Sequence, residues 1–154
     1  MKPRRQISIL MLALAMPVLA LGQTESEPNN STAQADPLPH LSDITGQIGN
    51  GCTVADNTAD FFAINTPQRG RLRIRTGMSN SGPAPLSVTV NLLNASGSFI
   101  GNFTTQAGAN NTVVLDSATF NCQGQGLYYI YLTSPSASLC TDYTLSYEML
   151  PPVF

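Results

Sequence analysis

The sequence predicts an all-β protein, an antiparallel jelly-roll-like sandwich of about eight strands. Short runs rich in β-branched and aromatic residues alternate polar with apolar. Gly, Asn, Ser and Pro separate these runs at close intervals. No stretch holds an apolar period of 3.6 for three turns, so the helical alternatives fall away. A closed barrel is the other architecture that fits the pattern.

The N-terminus sets the compartment. Lys2, Arg4 and Arg5 precede an apolar run over residues 7–20, and the small residues Ala20 and Gly22 follow Pro17. This is the layout of a secretory signal, expected to end at residue 22, and it is short and wrongly flanked for a membrane span. No cysteine follows the run to carry a lipid. Residues 23–42 contain Pro28, Pro37 and Pro39 among polar side chains and read as an extended arm. Residues 43–150 form the sandwich, with strands expected at 44–48, 60–65, 71–76, 86–94, 98–105, 112–116, 127–133 and 143–149. The segment Asn94-Ala95-Ser96-Gly97 supplies residues that tolerate positive φ and predicts a hairpin.

Charge narrows the function classes. Beyond residue 22 only four cations remain, Arg69, Arg71, Arg73 and Arg75, against nine acids, a net charge of −5. A nucleic-acid backbone asks for many dispersed cations, so that class of partner is excluded. The three cysteines, Cys52, Cys122 and Cys140, are too widely spaced, and the single His40 too remote, for a zinc site. In an exported chain they predict one disulfide and one remaining thiol, or an intermolecular bond. Up-and-down strand counting puts the loops of Cys52 and Cys140 at one end of the sandwich and Cys122 at the other. An eight-residue strand is about 25 Å long, and a bridge needs Cα atoms within about 7 Å, so Cys52–Cys140 is the expected pair.

Several segments in order resemble the bacterial pre-peptidase C-terminal domain, a β-sandwich module of secreted peptidases. They are Glu25-Ser26-Glu27-Pro28-Asn29-Asn30-Ser31, Ile44-Thr45-Gly46-Gln47-Ile48, Asp56-Asn57-Thr58-Ala59-Asp60-Phe61-Phe62, Gly126-Leu127-Tyr128-Tyr129-Ile130 and Asp142-Tyr143-Thr144-Leu145. The set spans the chain beyond the signal. The related collagen-binding domains of secreted collagenases share the layout and a calcium site formed by the N-terminal arm. The family module usually follows a catalytic domain, whereas a signal precedes this one. The resemblance therefore implies a fold and calcium, and does not transfer proteolysis.

The acidic arm is the sharpest chemical signal. In an extended chain Glu25, Glu27 and Asn29 project to one side, and Pro28 holds Glu27 extended. Calcium takes six to eight oxygen ligands, and carboxylates with amides supply them. The resemblance pairs Glu25, Glu27, Asn29 and Asn30 with Asp56 or Asn57 and with Asp60. The family's paired acids stand closer than Asp56 and Asp60 do, and Asn57 fills the expected place with one charge fewer. The competing reading is a solvated acidic linker beside an Asp-rich turn.

Two surface features are candidate ligand contacts. Arg71, Arg73 and Arg75 share one face of a strand and can grip an anionic polymer, or else form a charged solvent face that discourages edge pairing. Tyr129 and Tyr131 point outward, opposite Tyr128, Ile130 and Leu132, and offer flat area to a fibrous protein or polysaccharide, or else serve as cross-strand pairing residues. Tyr143 and Leu145 read as core. Catalysis is hard to assemble: the single histidine lies among the arm's prolines, and no nucleophile, zinc or phosphate-loop motif is present. The expected function is a secreted or periplasmic, non-catalytic binding or accessory module that is calcium-stabilised. Its partner is an extracellular protein or polysaccharide surface, or a secreted peptidase. The alternative is a structural or secretion-assisting domain with no ligand of its own.

Overall fold

The computed structural model describes residues 22–52, 58–80, 82, 84–109, 112–121, 124–134 and 140–153. Ten strands run in chain order: β1 (Gln23–Thr24), β2 (Asp36–Pro37), β3 (Ile44–Ile48), β4 (Ala59–Thr66), β5 (Arg71–Asn80), β6 (Leu86–Asn94), β7 (Phe99–Ala107), β8 (Thr112–Asn121), β9 (Gly126–Thr133) and β10 (Thr141–Leu150). They form two five-stranded sheets, β1-β3-β10-β5-β8 (sheet A) and β2-β4-β9-β6-β7 (sheet B). Setting aside the two arm strands, the order is that of a jelly roll, in which successive long strands change sheet and return.

Alternation builds the core. Residues of one parity on each strand face inward, and Phe62, Ile64, Leu72, Ile74, Val88, Leu92, Ile130, Leu132 and Leu145 are fully buried between the sheets. The Asn94–Gly97 segment closes the β6–β7 hairpin. Gly97 takes φ 79°, and the Asn94 side-chain oxygen accepts from the amides of Ser96 and Ser98.

Two expectations need amendment. The strand count rises from about eight to ten, because the arm contributes two-residue strands. Both of these pair parallel to their neighbours, β1 to β3 and β2 to β4, so the sandwich is not wholly antiparallel. The arginine strand β5 lies between β10 and β8, so it has no free edge for its charges to protect.

Candidate functional site

The arm runs from the edge of sheet A to the edge of sheet B and closes one flank of the sandwich. The Glu25 amide donates to the Thr45 carbonyl (2.9 Å), continuing the β1–β3 ladder. At the far end the Leu38 amide donates to Ala63 (3.0 Å), beside β4. Between them the Phe61 amide donates to the Asn29 carbonyl (2.9 Å), which pins Asn29 next to Asp60 on β4. Ser26 holds the bend, donating from its amide and hydroxyl to the Asp36 carboxylate.

This route drives acidic side chains inward. The Glu25 carboxyl group lies under Gly46, its three atoms within 2.5 Å of where a Cβ on that residue would stand. Only glycine leaves that space. The same carboxylate accepts from the Gln47 amide (2.7 Å), from the Tyr143 hydroxyl and, longer, from Asn29 Nδ2 (3.4 Å). One ligand oxygen each of Glu25, Glu27 and Asp60 lies within 4.8 Å of the others. Asn29 and Asp60 are fully buried.

Four buried oxygens in this cluster have no hydrogen-bond donor among the described residues: Glu27 Oε1, Asn29 Oδ1 and both carboxylate oxygens of Asp60. Burial pushes the Asp60 carboxyl up to about 8, reinforced by the Glu25 charge; the neighbouring Tyr143 hydroxyl, which donates to Glu25, gives only partial relief. Glu27 is raised chiefly by burial, against the bond from the Asn29 amide, and further by Glu25 and Asp36. Three acids and an amide oxygen converging here, with four of their oxygens lacking donors, fit a hard cation. A softer metal would call for nitrogen or sulfur ligands, and the cluster offers none.

The structure thus brings together Glu25, Glu27, Asn29 and Asp60 of the residues named from sequence. Asn30 follows in the chain, half-buried, and its carboxamide is not among the orphaned oxygens. Asp56 and Asn57 lie outside the described residues, as does Cys122. Cys52 and Cys140 form a disulfide with Cα atoms 4.7 Å apart. Ile48 and Thr141 are register partners on β3 and β10, so the two cysteines leave that strand pair at the same end.

The surface candidates divide. Arg73 and Arg75 both bind Glu148 Oε1, at 3.0 and 2.6 Å, and Arg71 Nε donates to the Pro151 carbonyl. These guanidinium groups are engaged within sheet A and its C-terminal extension. Tyr129 and Tyr131 face outward from sheet B, half-buried, and Tyr131 stacks on Phe61 with ring centroids 4.8 Å apart. Around them the outward positions of β4, β9, β6 and β7 carry no Asp, Glu, Lys or Arg.

Sequence reasoning passed over two residues of the acidic cluster. Tyr143 reads as core by alternation, yet its hydroxyl reaches Glu25. An inward tyrosine needs a partner for that hydroxyl, and this was the available signal. Gly46 sits on the buried parity of β3, where a missing side chain marks close approach by another group.

No family model and no curated protein matches the chain. Among solved structures it is similar to the pre-peptidase C-terminal domain of a collagenase from Bacillus anthracis. The match covers 78% of this chain and 100% of that one, with 16% sequence identity and a TM-score of 0.45. This neighbour carries the name of the family that the arm and strand motifs resemble.

Proposed function

We propose that the chain is an exported, non-catalytic module whose arm is clasped to the sandwich by calcium, and which binds an extracellular protein or polysaccharide surface. The carrying observation is the set of four donor-less buried oxygens at the junction of arm and body. Glu25, Glu27 and Asn29 from the arm and Asp60 from β4 would hold the ion. Its charge would offset three converging carboxylates and cross-link the two segments. Export is supported by the disulfide, which belongs to oxidising compartments, and by the signal-like N-terminus.

The binding surface we favour is the outward face of sheet B, with Tyr129, Tyr131 and Phe61 set among neutral residues. A face without charges suits a neutral, fibrous or polymeric partner, and its binding should resist salt. A non-catalytic role is supported by His40, the only histidine, whose Nε2 accepts from the Met149 amide (3.1 Å).

Calcium titration of the metal-stripped protein tests the clasp. A ligand at 100 times its Kd adds about 2.7 kcal/mol of stability, so millimolar calcium should raise the Tm by several degrees. Asp60→Asn should abolish that rise. A flat Tm would remove the calcium reading. Retention on insoluble collagen, chitin, cellulose or peptidoglycan, lost in Tyr129→Ala, tests the face; flow-through on all four favours the structural or secretion-assisting role.

A further inference from the structure

Among the described residues, no strand covers the flank opposite the arm. β8 is the outermost strand of sheet A, ten residues long, without proline, lysine or arginine and with Asp116 as its only charge. Such devices are what usually guard an exposed edge. Its outward side chains include Leu115, at 84% the most exposed large hydrophobic among the described residues, and Val113 at 71%.

Backbone alternation fixes which groups this edge presents. On β10 the Tyr147 carbonyl accepts from Leu41 and the Met149 amide donates to His40 (both 3.1 Å), so odd-numbered residues there turn away from β5. Even-numbered residues of β10 therefore bond Arg73, Arg75, Gly77 and Ser79 of β5. The remaining β5 residues, Leu72, Ile74, Thr76 and Met78, bond Phe120, Ala118, Asp116 and Val114 of β8. The backbone groups of Val113, Leu115, Ser117 and Thr119 are left facing the free edge. Ser117 agrees: its amide donates to Asp116 Oδ1 (2.7 Å).

We propose that β8 pairs antiparallel with β8 of a second copy of this chain, about a two-fold axis through Leu115. In that register Leu115 meets Leu115 of the second copy, Val113 meets Ser117, and Val114 meets Asp116. A two-fold one residue further along would oppose two Asp116 carboxylates, which like-charge repulsion disfavours. The Leu115 register also joins the leucines and valines of both copies into one apolar strip. Gly77 gives it room: a Cβ there would come within 2.9 Å of Leu115 Cδ2, so the leucine leans over the glycine. On pairing, Asp116 releases the Ser117 amide to the Val113 carbonyl of the second copy and turns to solvent.

The test uses Cys122→Ser protein, which removes the third cysteine. Sedimentation over low to high micromolar concentrations should show a monomer–dimer equilibrium, and Leu115→Lys should weaken it at least about tenfold while leaving the Tm of the dilute monomer unchanged. Register is read by cross-linking. Leu115→Cys places two Cα atoms about 5.5 Å apart across a hydrogen-bonded pair, inside the disulfide range. Thr119→Cys places them about 25 Å apart. Mild oxidation should give covalent dimers of the first variant only. A monomer throughout the range, a dimer indifferent to Leu115→Lys, or equal cross-linking of both variants would each overturn the proposal.

Discussion

The two flanks of this sandwich solve the same problem in opposite ways. Every open sheet ends in a row of unpaired backbone groups. On one flank the arm supplies β1 and β2, short parallel strands that cover the edges β3 and β4. That cover is held by backbone bonds and by the Glu25 contacts to Gln47 and Tyr143, and the Cys52–Cys140 bond ties the end of the β3–β10 pair beside it. On the other flank β7 and β8 end their sheets with no further strand among the described residues, and four of the six exposed large hydrophobics among those residues, Phe99, Ile100, Val113 and Leu115, lie on those two strands. An edge can be closed by the chain itself at the cost of burying charge, or left for another chain at the cost of exposing apolar surface.

Breaking the fastened flank should have the largest effect. The disulfide closes a loop with a sequence separation of 88, for which chain entropy predicts a contribution of about 4–5 kcal/mol. Cys52→Ser, measured by denaturant unfolding, should therefore cost about 3–5 kcal/mol. A loss under about 1 kcal/mol would mean that this end is held by packing alone.

A pair of glycines sharpens the contrast. At Gly46 an added Cβ would collide with the Glu25 carboxyl group, and Glu25 is held there by Gln47 and Tyr143. Gly46→Ala should destabilise by about 1–3 kcal/mol, as overpacking does, and should also erase the calcium-dependent rise in Tm. At Gly77 the added Cβ would meet only the tip of exposed Leu115, which can swing aside. Gly77→Ala should be neutral, or stabilising by up to about 1 kcal/mol because alanine is stiffer in the unfolded chain. Equal losses in the two variants would erase the distinction between the flanks.

The parts of this design that were readable in the sequence are those that depend on periodicity. Tyr128, Ile130 and Leu132 alternate with Tyr129 and Tyr131, and that pattern alone places three inside and two outside. The Cys52–Cys140 pairing followed from counting strand ends, since strand length exceeds disulfide reach. The parallel strands β1 and β2 were not readable, because two residues carry no period. Their existence rests on long-range pairing with Ile44, Thr45, Phe62 and Ala63. Nor did Arg73 and Arg75 declare that they share Glu148, because that contact depends on which strand β5 has for a neighbour.

Acid provides the gentlest probe of the fastened flank, and its sign is fixed by Asp60. Without metal, the folded-state carboxyl is raised to about 8 by burial and by the Glu25 charge, against an ordinary value of 3.8. Between those two values the folded protein keeps a proton that the unfolded chain has lost, so stability falls as pH rises through that window. Metal-stripped protein should therefore melt highest near pH 4 to 5 and progressively lower toward pH 8. The drop should stay at a few degrees, because the arm can loosen and admit water to the carboxylates. Calcium should reverse the trend, since an ion held by ionised oxygens competes with protons and binds better as pH rises. Melting curves across pH 4–8, with calcium and with chelator, check both slopes. Parallel curves would mean that Asp60 does not exchange its proton for the ion, and that the arm is held by its backbone ladder and the Asn29–Phe61 bond instead.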